Sequence, residues 1–205
     1  SAEDGYANKP MVNRVLNEGS LDSSGNTITG NYVPLNQENV GYITFMGGTN
    51  DSYGFESSIG TDIVDGDKTH IYGAMNLILQ KLVDSYPNIP IIVILQPPKA
   101  NVTDTENAEG VDISGCSQAY KSVAVSFRKQ KAVREVAEIY ANAYPQVEVV
   151  DCCFDWYSPL NADELATYWG PDLLHMTGEG NKELVTGTKY DSVEKGLKRV
   201  IKRLS

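Results

Sequence analysis

The residues Ile91-Ile92-Val93-Ile94-Leu95 form a continuous run of aliphatic side chains, and Pro97-Pro98 follow it closely. An unbroken apolar run of this length is typical of a strand covered on both faces, as strands of parallel sheets are. Two further apolar runs, at residues 40–46 and 147–150, lie before and after it in the chain. We therefore expect three strands of one parallel sheet.

Segments with a helical spacing of apolar residues separate and follow these strands. We expect the first two helices at residues 69–85 and 120–143. An irregular loop rich in aromatic residues is expected at 153–171, and a last helix near the C-terminus. The expected buried faces are Met75, Leu79, Leu82 and Val83; then Val133, Val136, Ile139, Tyr140 and Ala143; and finally Val193, Leu197, Val200, Ile201 and Leu204. Strands alternating with helices predict an α/β fold, a doubly wound parallel sheet in a three-layer α/β/α arrangement.

Composition limits the classes of protein to which the chain can belong. Its 205 residues suit one domain, and 27 acidic against 17 basic residues give a net charge of −10. This negative charge, without a basic stripe, disfavours nucleic acid as a partner. No apolar stretch approaches the roughly 18 to 20 residues that span a bilayer. We expect a single globular domain over residues 1–205 with no membrane span.

The cysteines and histidines show no pattern of a metal site. Cys116 and the adjacent pair Cys152-Cys153 are predicted to be buried free thiols, since adjacent cysteines bridge each other only with strain. The two histidines, His70 and His175, lie at no zinc-ligand spacing from a cysteine pair. We expect no bound metal, and His70 is expected to open a helix at the surface.

Two short segments carry residue types suited to hydrolysis. Gly47-Gly48-Thr49-Asn50-Asp51 directly follows the first predicted strand, which places Asn50 at the carboxyl edge of the sheet, where ligands bind in open α/β folds. Asp172-Leu173-Leu174-His175 precedes the last helix. Taken alone, the first segment predicts an ordinary turn and the second a helix-capping aspartate with an incidental histidine. Their joint placement on one sheet pattern favours a hydrolase site.

In these two segments the chain resembles the SGNH hydrolase superfamily of GDSL-type esterases and lipases. Gly48-Thr49-Asn50-Asp51 matches the Gly-x-Asn-Asp block of that family, and Asp172 with His175 matches its Asp-x-x-His block. The resemblance implies a flavodoxin-like sheet with strand order 2-1-3-4-5. The glycine of another block matches Gly25, with Gly19 as the alternative.

The Gly-Asp-Ser block, which carries the family's nucleophile, has no match in the chain. Because strand 1 lies in the middle of the 2-1-3-4-5 order, its absence would leave backbone groups unpaired inside the sheet. We therefore expect the first strand to lie outside this chain, as part of a longer or N-terminally shortened protein. The nucleophilic serine is then upstream of residue 1, or it is Ser1, with Ser20 as the weaker choice.

The resemblance implies ester hydrolysis through a Ser-His-Asp mechanism without metal or organic cofactor. His175 would act as general base and Asp172 would orient it, while Asn50 and the backbone N–H of Gly25 would form the oxyanion hole.

The resemblance leaves the substrate and the setting open. A small-molecule, lipid or carbohydrate ester fits, with an O-acyl group on a carbohydrate as the first expectation. The aromatic residues Trp156, Tyr157, Tyr168 and Trp169 are either local core or the lining of a substrate cleft. A glycan on the sequon at Asn50 would block the site, which favours a bacterial or phage setting. The spelling Phe45-Met46-Gly47-Gly48-Thr49-Asn50-Asp51 resembles SGNH domains of surface or phage structural proteins of Gram-positive bacteria, which implies a cell-surface, secreted or phage-associated setting. The alternative is a non-catalytic carbohydrate-binding or structural module that retains the fold.

Overall fold

The computed structural model describes residues 20–21, 27–28, 38, 40–47, 59–60, 62–64, 66–67, 69–97, 112, 114–116, 118–151, 162–171, 175–187 and 192–204. Its elements are the strands β1 (Ser20–Leu21), β2 (Thr27–Ile28), β3 (Ile43–Phe45), β4 (Ile91–Ile94) and β5 (Val147–Val150), and the helices α1 (Ile71–Ser85), α2 (Gln118–Ala143), α3 (Ala162–Tyr168), α4 (Gly178–Thr186) and α5 (Val193–Leu204).

The chain forms two compact units. The first includes β3, α1 and the part of α2 from Ala132 onward, and the second includes the earlier part of α2 together with α3, α4 and α5. Both units contain part of β4 and β5. The expectation of a single domain stays a prediction.

The three longer strands form one sheet in the order β3-β4-β5, and β1 pairs separately with β2 in an antiparallel ladder. Two backbone bonds, from Ile91 N–H to the carbonyl of Gln146 (2.8 Å) and from Leu95 N–H to the carbonyl of Val150 (3.0 Å), join residues at the same sequence offset. A constant offset means that β4 and β5 run parallel. The α/β fold with a parallel sheet and intervening helices is therefore confirmed.

β4 is the buried centre of this sheet among the described strands. All four of its residues are buried, and so is Leu95 directly after it. Adjacent side chains of a strand point to opposite faces, so complete burial requires cover on both sides of the sheet. The aliphatic run at residues 91–95 therefore forms the strand that it predicted, β4 at Ile91–Ile94.

The buried face of α1 is the predicted one, whereas that of α2 is shifted. Met75, Leu79, Leu82 and Val83 are all buried on α1. On α2 the buried residues include the predicted Val133, Val136 and Tyr140, but Ile139 is 40% exposed and Ala143 is also exposed. The buried stripe instead includes Ala132 and Ala137, which lie beside the predicted residues at helical spacing.

Tyrosine hydroxyls join α1 to α2 within the first unit. The hydroxyl of Tyr140 donates to the carbonyl of Asn76 (3.0 Å), and the hydroxyl of Tyr72 donates to Oε2 of Glu135 (2.5 Å). Burial raises the pKa of Tyr140, and the nearby Tyr144 and Asp84 raise it further. The neutral phenol, which can donate, is therefore the form that the folded state stabilises.

In the second unit, α3 packs against α4 and α4 packs against α5. The helix α3 lies within residues 153–171, where the sequence predicted an irregular loop, so that prediction is wrong for residues 162–168. Four of the residues at 162–166, all but Asp163, are good helix formers. Asp163 and Glu164 lie in the first turn, where carboxylates complement the helix dipole, and together these features explain the helix.

The face of α5 that meets β5 is centred on a glycine. A Cβ built on Gly196 would lie 2.2 Å from Cγ1 of Val150, which shows how closely the helix backbone approaches the strand. Gly196 and Val200 are buried one helical turn apart, whereas Ile201, which the sequence placed on the buried face, is 46% exposed.

The prediction of buried free thiols fails at Cys116, which is free and exposed. The other two cysteines lie outside the described residues. The polar segment around Cys116 explains its exposure, because residues 112 and 114–115 beside it are exposed as well.

Candidate active site

His175, the last residue of the Asp-x-x-His motif, lies beside a short antiparallel pairing, and the chain between the two sides of this pairing is called the histidine loop. Trp169 forms a bridge with Met176, Gly170 N–H donates to the carbonyl of His175 (2.7 Å), and Thr177 N–H donates to the carbonyl of Tyr168 (3.0 Å). These bonds fix the backbone on both sides of the loop. The loop therefore begins directly after α3 and ends directly before α4.

The first turn of α4 is capped from within the same segment. Thr177 is the N-cap residue, and its Oγ1 accepts the N–H of Gly180 at 3.0 Å. Glu179 in the first turn adds a negative charge where the helix dipole favours one. Asn181 Nδ2 donates to the carbonyls of Met176 (3.3 Å) and Thr177 (3.1 Å), so the helix also holds the two residues after His175.

Gly180 lets α4 approach the end of α3 closely. A Cβ at this position would lie 2.1 Å from the carbonyl oxygen of Tyr168, far inside any contact that real Cβ atoms make. The nearest atoms are all backbone and cannot rotate away. A glycine is therefore required where α4 meets the base of the loop.

Trp169 anchors the base of the loop in the core. It is 5% exposed, so for this residue the core interpretation of the aromatic cluster is correct. Its Nε1 is buried and has no hydrogen-bond acceptor among the described residues. Tyr168, beside it at the end of α3, is half-buried. Trp156 and Tyr157 lie outside the described residues.

His175 is the predicted catalytic residue that the structure describes. It is exposed at the end of the loop, and its carbonyl accepts the N–H of Gly170. Asn50, Asp172 and Gly25 lie outside the described residues, as do Gly19 and Ser1. The convergence of these side chains on His175 therefore stays a prediction.

Two other predicted positions are described. Ser20, the weaker candidate for the nucleophile, pairs with Ile28 in the antiparallel ladder of β1 and β2. His70 is the N-cap residue of α1, where its side chain makes no capping hydrogen bond. The expectation that His70 opens a helix is confirmed.

The described residues offer no metal centre or membrane span. No group of three or more His, Cys, Asp or Glu side chains in the described part of the chain could hold a metal ion. Within the part of the chain that the structure describes, no helix is long and apolar enough to cross a bilayer.

Sequence reasoning found neither the helix α4 nor the Thr177 clamp, in which the hydroxyl and the backbone N–H of Thr177 donate to the carbonyls of Thr167 and Tyr168. A partial signal was present, because threonine is a favoured N-cap residue and acidic residues such as Glu179 are enriched in the first turn of helices. Gly178 and Gly180 weaken that signal, since glycine is a poor helix former. The bonds to residues 167 and 168 use backbone carbonyls, which leave no mark in the sequence.

Two solved structures resemble the chain in fold. A protein of Lactobacillus plantarum, solved as a structural-genomics target, matches with a TM-score of 0.53 at 19% sequence identity, over 83% of this chain and 70% of that one. A second crystal structure matches with a TM-score of 0.50 at 20% identity, over 78% of this chain and 65% of the other. At such identities the similarity shows the fold alone.

Comparison at the level of families is more specific. No curated protein matches the chain significantly. The family described as GDSL-like Lipase/Acylhydrolase matches residues 4–186, which is most of the chain. This match supports ester hydrolysis as the general class of activity and small-molecule esters as substrates. Together with the parallel α/β sheet, it confirms the resemblance found in the sequence motifs: the chain belongs to the GDSL-like lipase/acylhydrolase family.

Proposed function

We propose that the chain is a serine esterase in which His175 is the general base. A serine hydroxyl is a weak nucleophile until an imidazole takes its proton, and the same imidazole then protonates the leaving alcohol. The observation that carries this proposal is the closed loop, which holds the backbone of His175 in place while its side chain stays exposed. An exposed imidazole on a fixed backbone can meet a substrate in a defined orientation.

Asp172, Asn50 and Gly25 complete the proposed mechanism. Asp172 accepts a hydrogen bond from the second ring nitrogen of His175 and so selects the tautomer that can act as a base. The Asn50 amide, the N–H of Gly25 and the N–H of the nucleophile stabilise the oxyanion of the tetrahedral intermediate. Loss of one such donor lowers the rate by about 10² to 10³. The support is the match of these residues to the family's blocks.

The proposed substrate is an O-acyl group on a carbohydrate. Tyr168 supports this choice, because it is half-buried at the end of α3 and directly precedes the loop of His175. A partly exposed aromatic ring can pack on the apolar face of a sugar. Acetate release from an O-acetylated oligosaccharide, compared with hydrolysis of p-nitrophenyl octanoate, tests it. Faster turnover of the long acyl ester would favour a lipid substrate instead.

Replacement of each histidine by alanine, one at a time, tests the general mechanism. H175A should lower kcat/KM for p-nitrophenyl acetate by about 10³-fold or more, as expected for loss of a catalytic base. H70A is the matched control and should keep the wild-type rate, since His70 lies at the N-cap position of α1 and has no part in the proposed mechanism. Equal rates for H175A and the wild type would refute the mechanism.

Labelling with a fluorophosphonate followed by peptide mapping identifies the nucleophile. The antiparallel pairing of Ser20 with Ile28 supports a different serine, because the family's nucleophile follows a parallel strand. We expect labelling at a serine other than Ser20. Failure to label any serine, together with carbohydrate binding, would favour the alternative of a non-catalytic binding module.

A further inference from the structure

One hydroxyl links the three segments around the histidine loop. The side chain of Thr177 donates to the carbonyl of Thr167 (2.6 Å) and accepts the N–H of Gly180 (3.0 Å). A carbonyl can only accept and a backbone N–H can only donate, so the direction of both bonds is fixed. A threonine hydroxyl has one proton and two lone pairs, and it can therefore make both bonds at once.

The bond to Thr167 goes beyond helix capping. An N-cap residue needs only to accept a backbone N–H from the first turn, here that of Gly180. The additional donation to Thr167 ties the cap to the preceding helix α3, on the far side of the loop. The backbone N–H of Thr177 reinforces this tie through Tyr168.

The tie acts close to the proposed catalytic residue. Thr177 lies two residues after His175, and Met176 between them pairs with the buried Trp169. The backbone of His175 is therefore held between the bond from Gly170 on one side and the Thr177 clamp on the other. Movement of the clamp would move the imidazole.

We propose that Thr177 is a positioning residue for His175, an inference that rests on the esterase function proposed above. Its hydroxyl sets the place of the imidazole by fixing the end of the loop to α3. An error of about 1 Å in the placement of a catalytic group can cost about 10²-fold in rate. The effect falls on kcat, because Thr177 acts through His175 and not on the bound ester.

Three substitutions separate positioning from capping. T177S keeps both hydrogen bonds, and T177V removes both. T177D keeps the capping acceptor, since aspartate is among the best N-cap residues, but a carboxylate cannot donate to the carbonyl of Thr167. A purely structural cap would tolerate T177D. T186V is the matched control, because the hydroxyl of Thr186 donates to the carbonyl of Lys182 at the other end of the same helix.

The first readout is kinetics with p-nitrophenyl acetate on variants shown by thermal melting to be folded. We expect T177V and T177D to lose about 10- to 100-fold in kcat with KM nearly unchanged, while T177S and T186V stay within about threefold of the wild type. T177D should melt close to the wild type, because the helix stays capped. Wild-type kcat in folded T177D would overturn the proposal.

The second readout is independent of activity. The chain has two histidines, so the NMR spectrum of H175A assigns the ring signals of both. In T177D the ring signals of His175 should move while those of His70 stay in place. Unchanged His175 signals in folded T177D would refute the positioning role even if H175A is inactive. If instead H175A hydrolyses the ester as fast as the wild type, the esterase mechanism fails, and the NMR signals alone then decide whether Thr177 positions His175.

Discussion

Replacement of Gly180 by alanine tests the close approach of α4 to α3. The added Cβ would lie 2.1 Å from the carbonyl oxygen of Tyr168, and real Cβ atoms essentially never come within 3.0 Å of such an atom. The first turn of α4 must therefore move away by most of an ångström. This movement strains two hydrogen bonds, one between Gly180 N–H and Oγ1 of Thr177 and one between Thr177 N–H and the carbonyl of Tyr168. Both lie where the first turn of α4 meets the end of α3.

The size of the effect follows from three contributions. Overpacking a close contact costs about 1–3 kcal/mol, and weakening two hydrogen bonds adds about 1 kcal/mol. Alanine regains about 1 kcal/mol over glycine through its helix propensity. We expect a net loss of about 2 kcal/mol, which lowers the melting temperature of a chain of this length by about 4–8 °C.

The assay is thermal melting followed by circular dichroism, with G178A as the matched control. Gly178 is exposed in the same helix, and a Cβ there would meet nothing within 4 Å. G178A should therefore melt at or slightly above the temperature of the wild type. If G180A is as stable as G178A, the close contact between α4 and α3 does not exist in solution and the reasoning is wrong.

Further predictions concern the core and its hydrogen bonds. L79A should lower the free energy of unfolding in urea by about 2–5 kcal/mol, because Leu79 is fully buried. G196A should destabilise the protein by about 1–2 kcal/mol through its clash with Val150, and V150A should reduce that penalty, as a double-mutant cycle would measure. Because the pKa of Tyr140 is raised in the folded state, its contribution is present below the unfolded value of about 10 and is lost as the pH rises through the folded value. Y140F should thus cost about 1 kcal/mol at neutral pH and weaken the decline in stability above pH 10, measured by urea unfolding across pH. An alkaline decline as steep as that of the wild type would contradict the assignment.

The sheet could be predicted from the sequence because its strands are buried on both faces. The run at 91–95 has no polar residue, and a helix of five residues would be too short to be stable, so a strand was the consistent interpretation. The bounds of β5 match the predicted residues 147–150. The helix α1 was equally clear, since its apolar residues recur at helical spacing over fifteen residues.

The faces of α2 and α5 were predicted less well because small residues lie at the closest packing points. Periodicity counts large apolar side chains, so it included Ile139 and Ile201 in the buried stripes, although both are exposed. The stripes are centred instead near Ala137 and Gly196, where the absence of a large side chain lets the helix approach its neighbour. The cause is tertiary packing, which a single sequence does not show.

The candidate site also contains features that the sequence indicated and features that only the structure shows. The sequence indicated Asp172 and His175 because their types and spacing match the Asp-x-x-His block and suit the general base proposed above. The geometry of the loop depends on backbone carbonyls at residues 167 and 168, which any residue could supply. Substitutions there should be tolerated as long as the carbonyls remain, whereas Thr177 and Gly180 contribute a hydroxyl and a missing Cβ that few residues can replace. Within the histidine loop and its flanks, substitutions should therefore be tolerated least after the histidine, at positions that the four-residue motif does not contain.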